Sequence, residues 1–343
     1  MGHELRTRLC QTLGIEYPIF SVGFGEGAGP ELVAAVSNAG AFGVLGGDGL
    51  EPAAVPERIA QVRALTDRPF GFNLIIVDDE EYRAFVQGMI AAAVSQRVTA
   101  LVFFWGNPSP YVELAHSRGV KVLVQVGSVD EAASAAAAGV DAVIAQGIEA
   151  GGHVRGTESI WELLPAVVEA VKPVPVLASG GIGDGAGLAR ALELGAQGVS
   201  LGTRFVASNE AFFHPAYKKR IVESTAKDTV YSELYDTWWP GAPHRTIRNK
   251  TYEEWEAAGR PPSGKRPGED TIIGRRRRGP AREFQEWPRY AVGSIPPNFE
   301  GDLERVPMFA GESCTVVNDI KPAAEIVRDL VRDARGERAH PSH

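Results

Sequence analysis

Residues 145–156 read AQGIEAGGHVRG and place one histidine, His153, directly behind two adjacent glycines. Histidine is the side chain best matched to proton transfer near neutral pH. Gly151 and Gly152 let a loop backbone approach a planar ligand closely. By type and spacing His153 is either a general base or a solvated loop residue. The other histidines are placed less well. His116 falls in a helical stretch, His214 and His244 in a later irregular region, and His3, His340 and His343 near the ends.

Three amides, Asn73, Gln125 and Gln146, stand at or near the ends of apolar runs. Buried amides must be hydrogen-bonded. They either tie loops together or bind the rim of a polar heterocycle such as a flavin, and position alone leaves both readings open. Two glycine turns complete the set. ASGGIGDG (178–185) brings Gly180 and Gly181 to a helix start, and SLGTRF (200–205) does the same with Ser200, Leu201, Gly202 and Thr203. Backbone N–H groups at such turns, aided by the helix dipole, attract an anion. Together the two turns predict a phosphorylated ligand.

These residues need a frame that brings them to one place. Eight short apolar runs, at 18–22, 42–46, 69–76, 100–106, 121–127, 141–147, 174–181 and 198–203, read as buried parallel strands. Helical stretches lie between them. Ser128 and Asp184 are expected N-caps, with Gly40, Gly139 and Gly195 as stops. Eight strand–helix units predict a (β/α)8 TIM barrel, an α/β fold, and no GxGxxG turn follows the first strand to favour an open sheet. Such barrels place their chemistry at the C-terminal ends of the strands, where all these candidates fall.

The rhythm stops after residue 205. The expected division is a barrel over 1–205, an inserted small lid or substrate domain over 206–305, and a final barrel helix with a tail over 306–343. The insertion holds Trp238 and Trp239, which would line a substrate mouth or pack in the small domain or a subunit contact. It also holds an arginine run, Arg275–Arg278, read as a solvated surface or, more sharply, a phosphate contact. Tyr231 and Tyr235 are spaced as one helix face. Cys314 reads as a packed small residue rather than a nucleophile.

A net charge of −8 argues against general nucleic-acid binding, which needs a basic footprint. Two distant cysteines give neither a disulfide framework nor metal spacing. With no signal-like or membrane-length apolar run, the expectation is a cytoplasmic, non-membrane protein acting on a small molecule, with a homodimer as a candidate assembly.

The segments ELVAAVSNAGAFGVLG (31–46), PFGFNL (69–74), AQGIEAGGHVRG (145–156), PVLASGGIGDGAGLARALELGAQGVSLGTRF (175–205) and AGESC (310–314) resemble the nitronate monooxygenase family, formerly 2-nitropropane dioxygenases. The resemblance covers most of 15–205 and the last helix. It implies FMN in a TIM barrel, with contacts from Asn73, Gln146, Gly151, Gly181, Ser200, Leu201, Gly202 and Thr203, and Gly180 beside the phosphate loop. It implies His153 as the base on a nitroalkane, or the group that positions a nitronate, with O2 consumed and a carbonyl compound and nitrite formed. Where family members often carry an Ala-Pro-Met turn over the flavin, this chain has Val22, Gly23 and Phe24, so Gly23 is a further cofactor contact on a changed turn. Gln125 is added from its strand-end position. The alternatives are a nicotinamide-dependent FMN enoyl-thioester reductase of the same family, and a barrel that binds a phosphorylated ligand without redox chemistry.

Overall fold

The computed structural model describes residues 5–76, 80–277 and 283–337. Eight parallel strands form one sheet: β1 (Ile19–Ser21), β2 (Gly43–Gly46), β3 (Phe70–Ile75), β4 (Ala100–Phe104), β5 (Lys121–Val126), β6 (Ala142–Gln146), β7 (Val176–Ser179) and β8 (Gly198–Leu201). Neighbours follow chain order, and β8 pairs back onto β1 through Ile19↔Val199. A parallel bridge, Phe20↔Phe42, joins β1 to β2 and closes the barrel. All eight expected strands are present, and the fold is the expected (β/α)8 barrel.

Period-two alternation sorts every strand residue to one of two layers. Phe72, Leu74, Val122, Val124, Val143, Val176, Val199 and Leu201 pack outward with the helices in the main core. Phe20, Val44, Val102, Leu123, Ile144 and Leu177 form a separate interior cluster with Leu9, Cys10 and Leu13. The last three belong to the helix Arg8–Leu13, which plugs the barrel on the side away from the strand C-termini. One step of two residues beyond this interior cluster come Gln125, Gln146 and Ser179. The inner face therefore changes from apolar to polar toward the C-terminal ends.

The helix ends obey the expected chemistry. Ser128 Oγ accepts from Glu131 N at 3.2 Å, and Glu131 Oε2 accepts in turn from Gly127 N at 2.8 Å. Asp184 Oδ1 accepts from Gly187 N at 2.8 Å. Gly40, Gly139 and Gly195 take φ of 86°, 86° and 95°, the left-handed values that end a helix. The amphipathic helix Ala323–Ala334 packs between Gly185–Glu193 and Pro30–Asn38, the place of the last barrel helix.

Between 206 and 305 the chain forms antiparallel sheet. Thr229–Ser232 pairs with His244–Ile247, which pairs with the two-residue strand Gly152–His153. Ile272–Arg277 pairs with Phe284–Pro288 and Glu300–Gly301. Trp287, Ile295, Phe299 and Val306 share the core cluster of the barrel helices, so these sheets are packed against the barrel.

Two expectations are corrected here. Tyr231 and Tyr235 do not share a helix face. Thr229 and Val230, both β-branched, favour a strand that carries Tyr231, while Tyr235 follows it and donates its hydroxyl to Asn249 Oδ1 at 2.7 Å. The arginine run is likewise a strand. Arg275 pairs with Glu300, and Arg277 lies over Phe284. Arg276 is 1% exposed, donates to Ser294 O at 2.7 Å and stacks on Trp287. Alternation along a strand turns Arg276 inward while its neighbours stay in water. Arg278 lies outside the described residues, as do His3, His340 and His343.

Candidate active site

A cavity of about 300 Å³ opens at the C-terminal ends of the barrel strands. It is lined by His153, Gly23, Asn73, Gln125, Gln146, Gly151, Gly180, Gly181, Ser200, Gly202 and Thr203. Leu201 is the exception among the expected contacts. It lies at 1% exposure in the outer, helix-facing layer, because it sits between inward-facing Ser200 and the turn. Its carbonyl accepts from Val22 N at 3.2 Å, so it supports the first turn instead.

The amides divide by what they already hold. Gln146 Nε2 donates to His153 O at 2.9 Å, and its Oε1 accepts from Arg155 N at 3.1 Å. Gln146 thus ties down the histidine loop, which is the loop-tying reading of that residue. Asn73 Nδ2 donates to Val102 O at 2.9 Å, while its Oδ1 has no hydrogen bond among the described residues. Gln125 lines the cavity with no side-chain hydrogen bond among the described residues. Gly23 is demanded by packing, since a Cβ there would meet Asn73 Cβ at 2.4 Å.

The β7 and β8 turns have the shape of a donor cradle. Gly180 and Gly181 take φ of 97° and 69°, which other residues rarely adopt. A Cβ on Gly202 would meet only Val22 Cγ2, at 3.8 Å, so its cavity side is open to a ligand. Thr203 Oγ1 accepts from Gly311 N at 2.9 Å, which pins the late segment Ala310–Cys314 to the turn. Gly151 sits against that same segment, since a Cβ there would meet Gly311 N at 2.3 Å. Cys314 is buried, its thiol pushed up to about 11, first by desolvation, so it stays protonated.

His153 lines the same cavity and is backed by the 206–305 segment. Its strand pairs with His244. Trp239 stacks on the imidazole with centroids 4.0 Å apart, and Phe309 lies at 5.8 Å. The ring is half-buried as a residue, yet Nε2 is fully buried and has no hydrogen-bond partner among the described residues. Desolvation, and then repulsion from His244, lower its pKa to about 3. The imidazole is therefore neutral at pH 7. An unsatisfied buried nitrogen costs about 1–3 kcal/mol, which a ligand at that point would recover.

His244 is not a relay. Its Nδ1 faces Ala242 O at 3.0 Å and its Nε2 accepts from Tyr235 N at 3.3 Å. Burial lowers its pKa to about 4, so it is a neutral ring with both nitrogens used. Arg245 completes the strap by donating to Ile148 O and Thr229 Oγ1 and pairing with Glu312.

Several site residues carried no clear sequence signal. Trp239 could be suspected of lining a mouth, but not of stacking on His153. Trp105, at φ 65°, packs edge-on against Trp239 and under Arg155. Phe24, Phe213 and Tyr217 form a second aromatic group in the cavity lining, with centroids 5.4 and 5.0 Å apart in sequence. Gly27 makes room for it, since a Cβ there would meet Phe213 Cζ at 2.3 Å.

Fold and site together define a barrel enzyme with a neutral histidine and a glycine cradle lining one cavity. The family model described as nitronate monooxygenase matches residues 6–333. The chain belongs to the nitronate monooxygenase family and is an oxidoreductase. It is 37% identical over 259 residues to a (3aS,4S,5R,7aS)-5-hydroxy-7a-methyl-1-oxo-octahydro-1H-indene-4-carboxyl-CoA dehydrogenase of Mycobacterium tuberculosis, covering 75% of this chain and 70% of that one. It is 34% identical over 289 residues to a probable nitronate monooxygenase of Staphylococcus saprophyticus, covering 72% and 80%. The structure of FabK from Thermotoga maritima superposes with a TM-score of 0.78 at 31% identity, covering 96% of each chain. Membership of an oxidoreductase family replaces the non-redox alternative. No described helix is long and apolar enough to cross a membrane.

Proposed function

We propose that the protein is an FMN-dependent oxidoreductase that takes nitroalkanes or nitronates and O2 to a carbonyl compound and nitrite, with His153 as the general base. The observation that carries this reading is the buried, unpartnered Nε2 of a neutral His153 in the same cavity as the Gly180–Gly181 and Gly202–Thr203 turns.

The residues present fit FMN. Backbone N–H groups of Gly180, Gly181, Gly202 and Thr203 would hold the phosphate, as loops seven and eight do in this fold. Asn73 Oδ1 and the Gln125 amide would meet the polar rim of the ring. Bound there, FMN would supply an acceptor for electrons from the substrate and a donor of them to O2.

The chain's own part is proton handling. A neutral imidazole accepts the proton from the carbon beside the nitro group, and the electron pair of that C–H bond moves onto the nitro oxygens. The anion formed beside His153 gives the ring the charge partner that burial denies it, which raises its pKa as the proton arrives. Gln146 fixes the loop carbonyl of His153, and Trp239 fixes the ring face. The 206–305 segment serves as the lid and substrate side of the site, because it provides Trp239 and the strand behind His153.

A second reading rests on the CoA-ester dehydrogenase relative and the FabK structure: an FMN- and nicotinamide-dependent reductase of enoyl thioesters. The deciding experiment is oxygen uptake with nitrite release on nitroethane, set beside NAD(P)H consumption with a crotonyl thioester. Nitrite release without NAD(P)H supports the first reading. Thioester-dependent NAD(P)H oxidation without nitrite release replaces it.

A further inference from the structure

The backbone leaves β4 in a conformation that its sequence does not favour. Trp105 takes φ 65°, in the left-handed region that a bulky side chain rarely enters. Gly106 follows at φ 51°, and a Cβ there would meet Ile76 O at 2.6 Å, so the turn also needs its glycine. Such strain persists only where the surroundings over-determine it, and it gathers at functional sites. Phe104, one residue earlier, lines the active-site cavity, whereas Trp105 lines a second cavity of about 390 Å³ that shares Gln125 with the first. Trp105 therefore bears on the site through its neighbours.

Those neighbours form one chain of contacts. The Trp105 ring packs edge-on to Trp239 with centroids 5.1 Å apart, and edge-on to His153 at 6.5 Å. Trp239 in turn stacks on His153 at 4.0 Å, so each of the three rings packs on the other two. The Arg155 guanidinium lies over the Trp105 ring at 4.5 Å, a cation–π contact. Arg155 is itself held twice. Its backbone N donates to Gln146 Oε1 at 3.1 Å, and its side chain pairs with Glu131. Glu131 accepts from Gly127 N at 2.8 Å, which anchors the chain of contacts on the helix Val129–Ala137. His244, at 5.7 Å, is the titratable ring packed on His153 itself, and Arg245 pairs beside it, opposite Gly152.

We propose that Trp105 is a positioning residue for His153: its ring, pinned by the Arg155–Glu131 pair, holds Trp239 against the imidazole face and keeps water from it. With Trp105 gone, Trp239 loses the ring it packs on, and the imidazole gains the hydration that favours its protonated form. A protonated ring has no lone pair left to take a proton from carbon. The strained turn after β4 thus sets how dry and how fixed the base is, without contact with substrate. The role of His153 as base rests on the reading above, and the packing of Trp239 on its ring does not.

The test follows the His153 imidazole by NMR in holoenzyme carrying isotope-labelled histidine, from pH 7.5 to 5, with its signal assigned by its loss in His153→Ala. Native His153 is expected to stay neutral throughout, since burial holds its pKa at about 3. In Trp105→Gly, which removes the ring and relieves the left-handed φ, the midpoint is expected to rise above about 5. Trp105→Phe keeps a ring for Arg155 and Trp239 and is expected to titrate as the native protein does. Arg155→Met, which leaves the bond from its backbone N to Gln146 in place, is expected to shift the midpoint the same way by less, and it decides the question if Trp105→Gly does not fold. On neutral nitroethane at pH 7.5, Trp105→Gly is expected to lower kcat about ten-fold and to change KM by less than about two-fold, because a positioned base acts in the chemical step. A Trp105→Gly variant whose His153 titrates as the native one does, or a Trp105→Phe variant that titrates as Trp105→Gly does, overturns the proposal. Absence of nitro turnover in the native enzyme alongside the shifted titration removes the nitroalkane reading and leaves the positioning role standing. Native nitro turnover with an unshifted titration in Trp105→Gly does the reverse.

Discussion

The two sides of the cavity are assembled in different ways. Ser179, Gly180, Gly181, Ser200, Gly202 and Thr203 all come from one stretch, 179–203, carried by adjacent strands. Their positions follow from local turn geometry and one strand pairing, Ser179↔Ser200. The His153 side is assembled from distant segments. Trp239, His244 and Phe309 reach it from far along the chain, and a two-residue strand holds them to the loop after β6. The local side offers backbone donors and fixed shape. The long-range side offers a side chain whose chemistry depends on what buries it. Binding is thus expected to fail by changes at the glycines, and proton transfer by changes in the packing around one histidine.

The sharpest way to break that division is His153→Ala. Turnover of neutral nitroalkane is expected to fall by about 100- to 10,000-fold, the usual worth of a positioned acid–base group, with FMN content unchanged. Oxygen uptake and the flavin absorbance of the purified variant measure both. Preformed nitronate is expected to lose much less, because its carbon-bound proton is already gone.

Gly202→Asp attacks the other side. Gly202 is at φ −93°, so a side chain strains nothing, and the open space at its Cβ would admit a carboxylate beside the N–H groups proposed to hold the phosphate. FMN affinity is expected to drop by about 100-fold, near 2.7 kcal/mol, without loss of the fold. Equilibrium dialysis with circular dichroism as the folding control checks this. Unchanged FMN affinity would move the phosphate elsewhere.

Trp239→Ala tests whether burial sets the histidine's chemistry. In the native protein the acid limb of kcat/KM on nitroalkane is expected near pH 3 to 4, since the free His153 stays neutral to about 3. Removing the stacked indole admits water, and the limb is expected to move up toward 6.5. A pH–rate profile from pH 4 to 8 separates the two.

The same burial has a stability signature. His153 and His244 titrate in the fold near 3 and 4, below the ordinary 6.5. Between those values the unfolded chain binds protons that the folded one refuses. Stability is therefore full above pH 6.5 and is lost as pH falls toward 4 and then 3. Thermal unfolding across pH 7.5 to 4.5 is expected to show a falling midpoint, and the fall should be smaller in His244→Asn.

At the small end stands Arg275→Ala. The Arg275–Glu300 pair is more than half exposed on both sides, so its loss is expected to cost under about 1 kcal/mol and to leave activity alone. Urea unfolding measures it. A large effect would mean that the strand edge bears on the site.

Legibility in the sequence follows the same line. Caps at Ser128 and Asp184, and stops at Gly40, Gly139 and Gly195, were readable because each depends on residues within one turn. The spacing of Tyr231 and Tyr235 fits both the helix and the strand period, and only pairing of Thr229–Ser232 with His244–Ile247 decides for the strand. Arg276 looked like a surface residue within a basic run, until strand alternation turned it inward. Leu201 was expected at the ligand, but the same alternation turns it to the helices.

By itself the sequence determined the barrel, its strand order, the glycine turns at β7 and β8, and, Leu201 apart, candidate residues that do line the cavity. Apolar period, caps and turn residues act over a few positions, and the chain writes them down directly. Only the tertiary structure decided that Gln146 is spent on holding a loop, that Gln125 has no side-chain hydrogen bond among the described residues, and that His153 is neutral with a buried Nε2 left unpartnered among them. Those properties are set by what lies within a few ångströms, and most of those neighbours come from segments far along the chain.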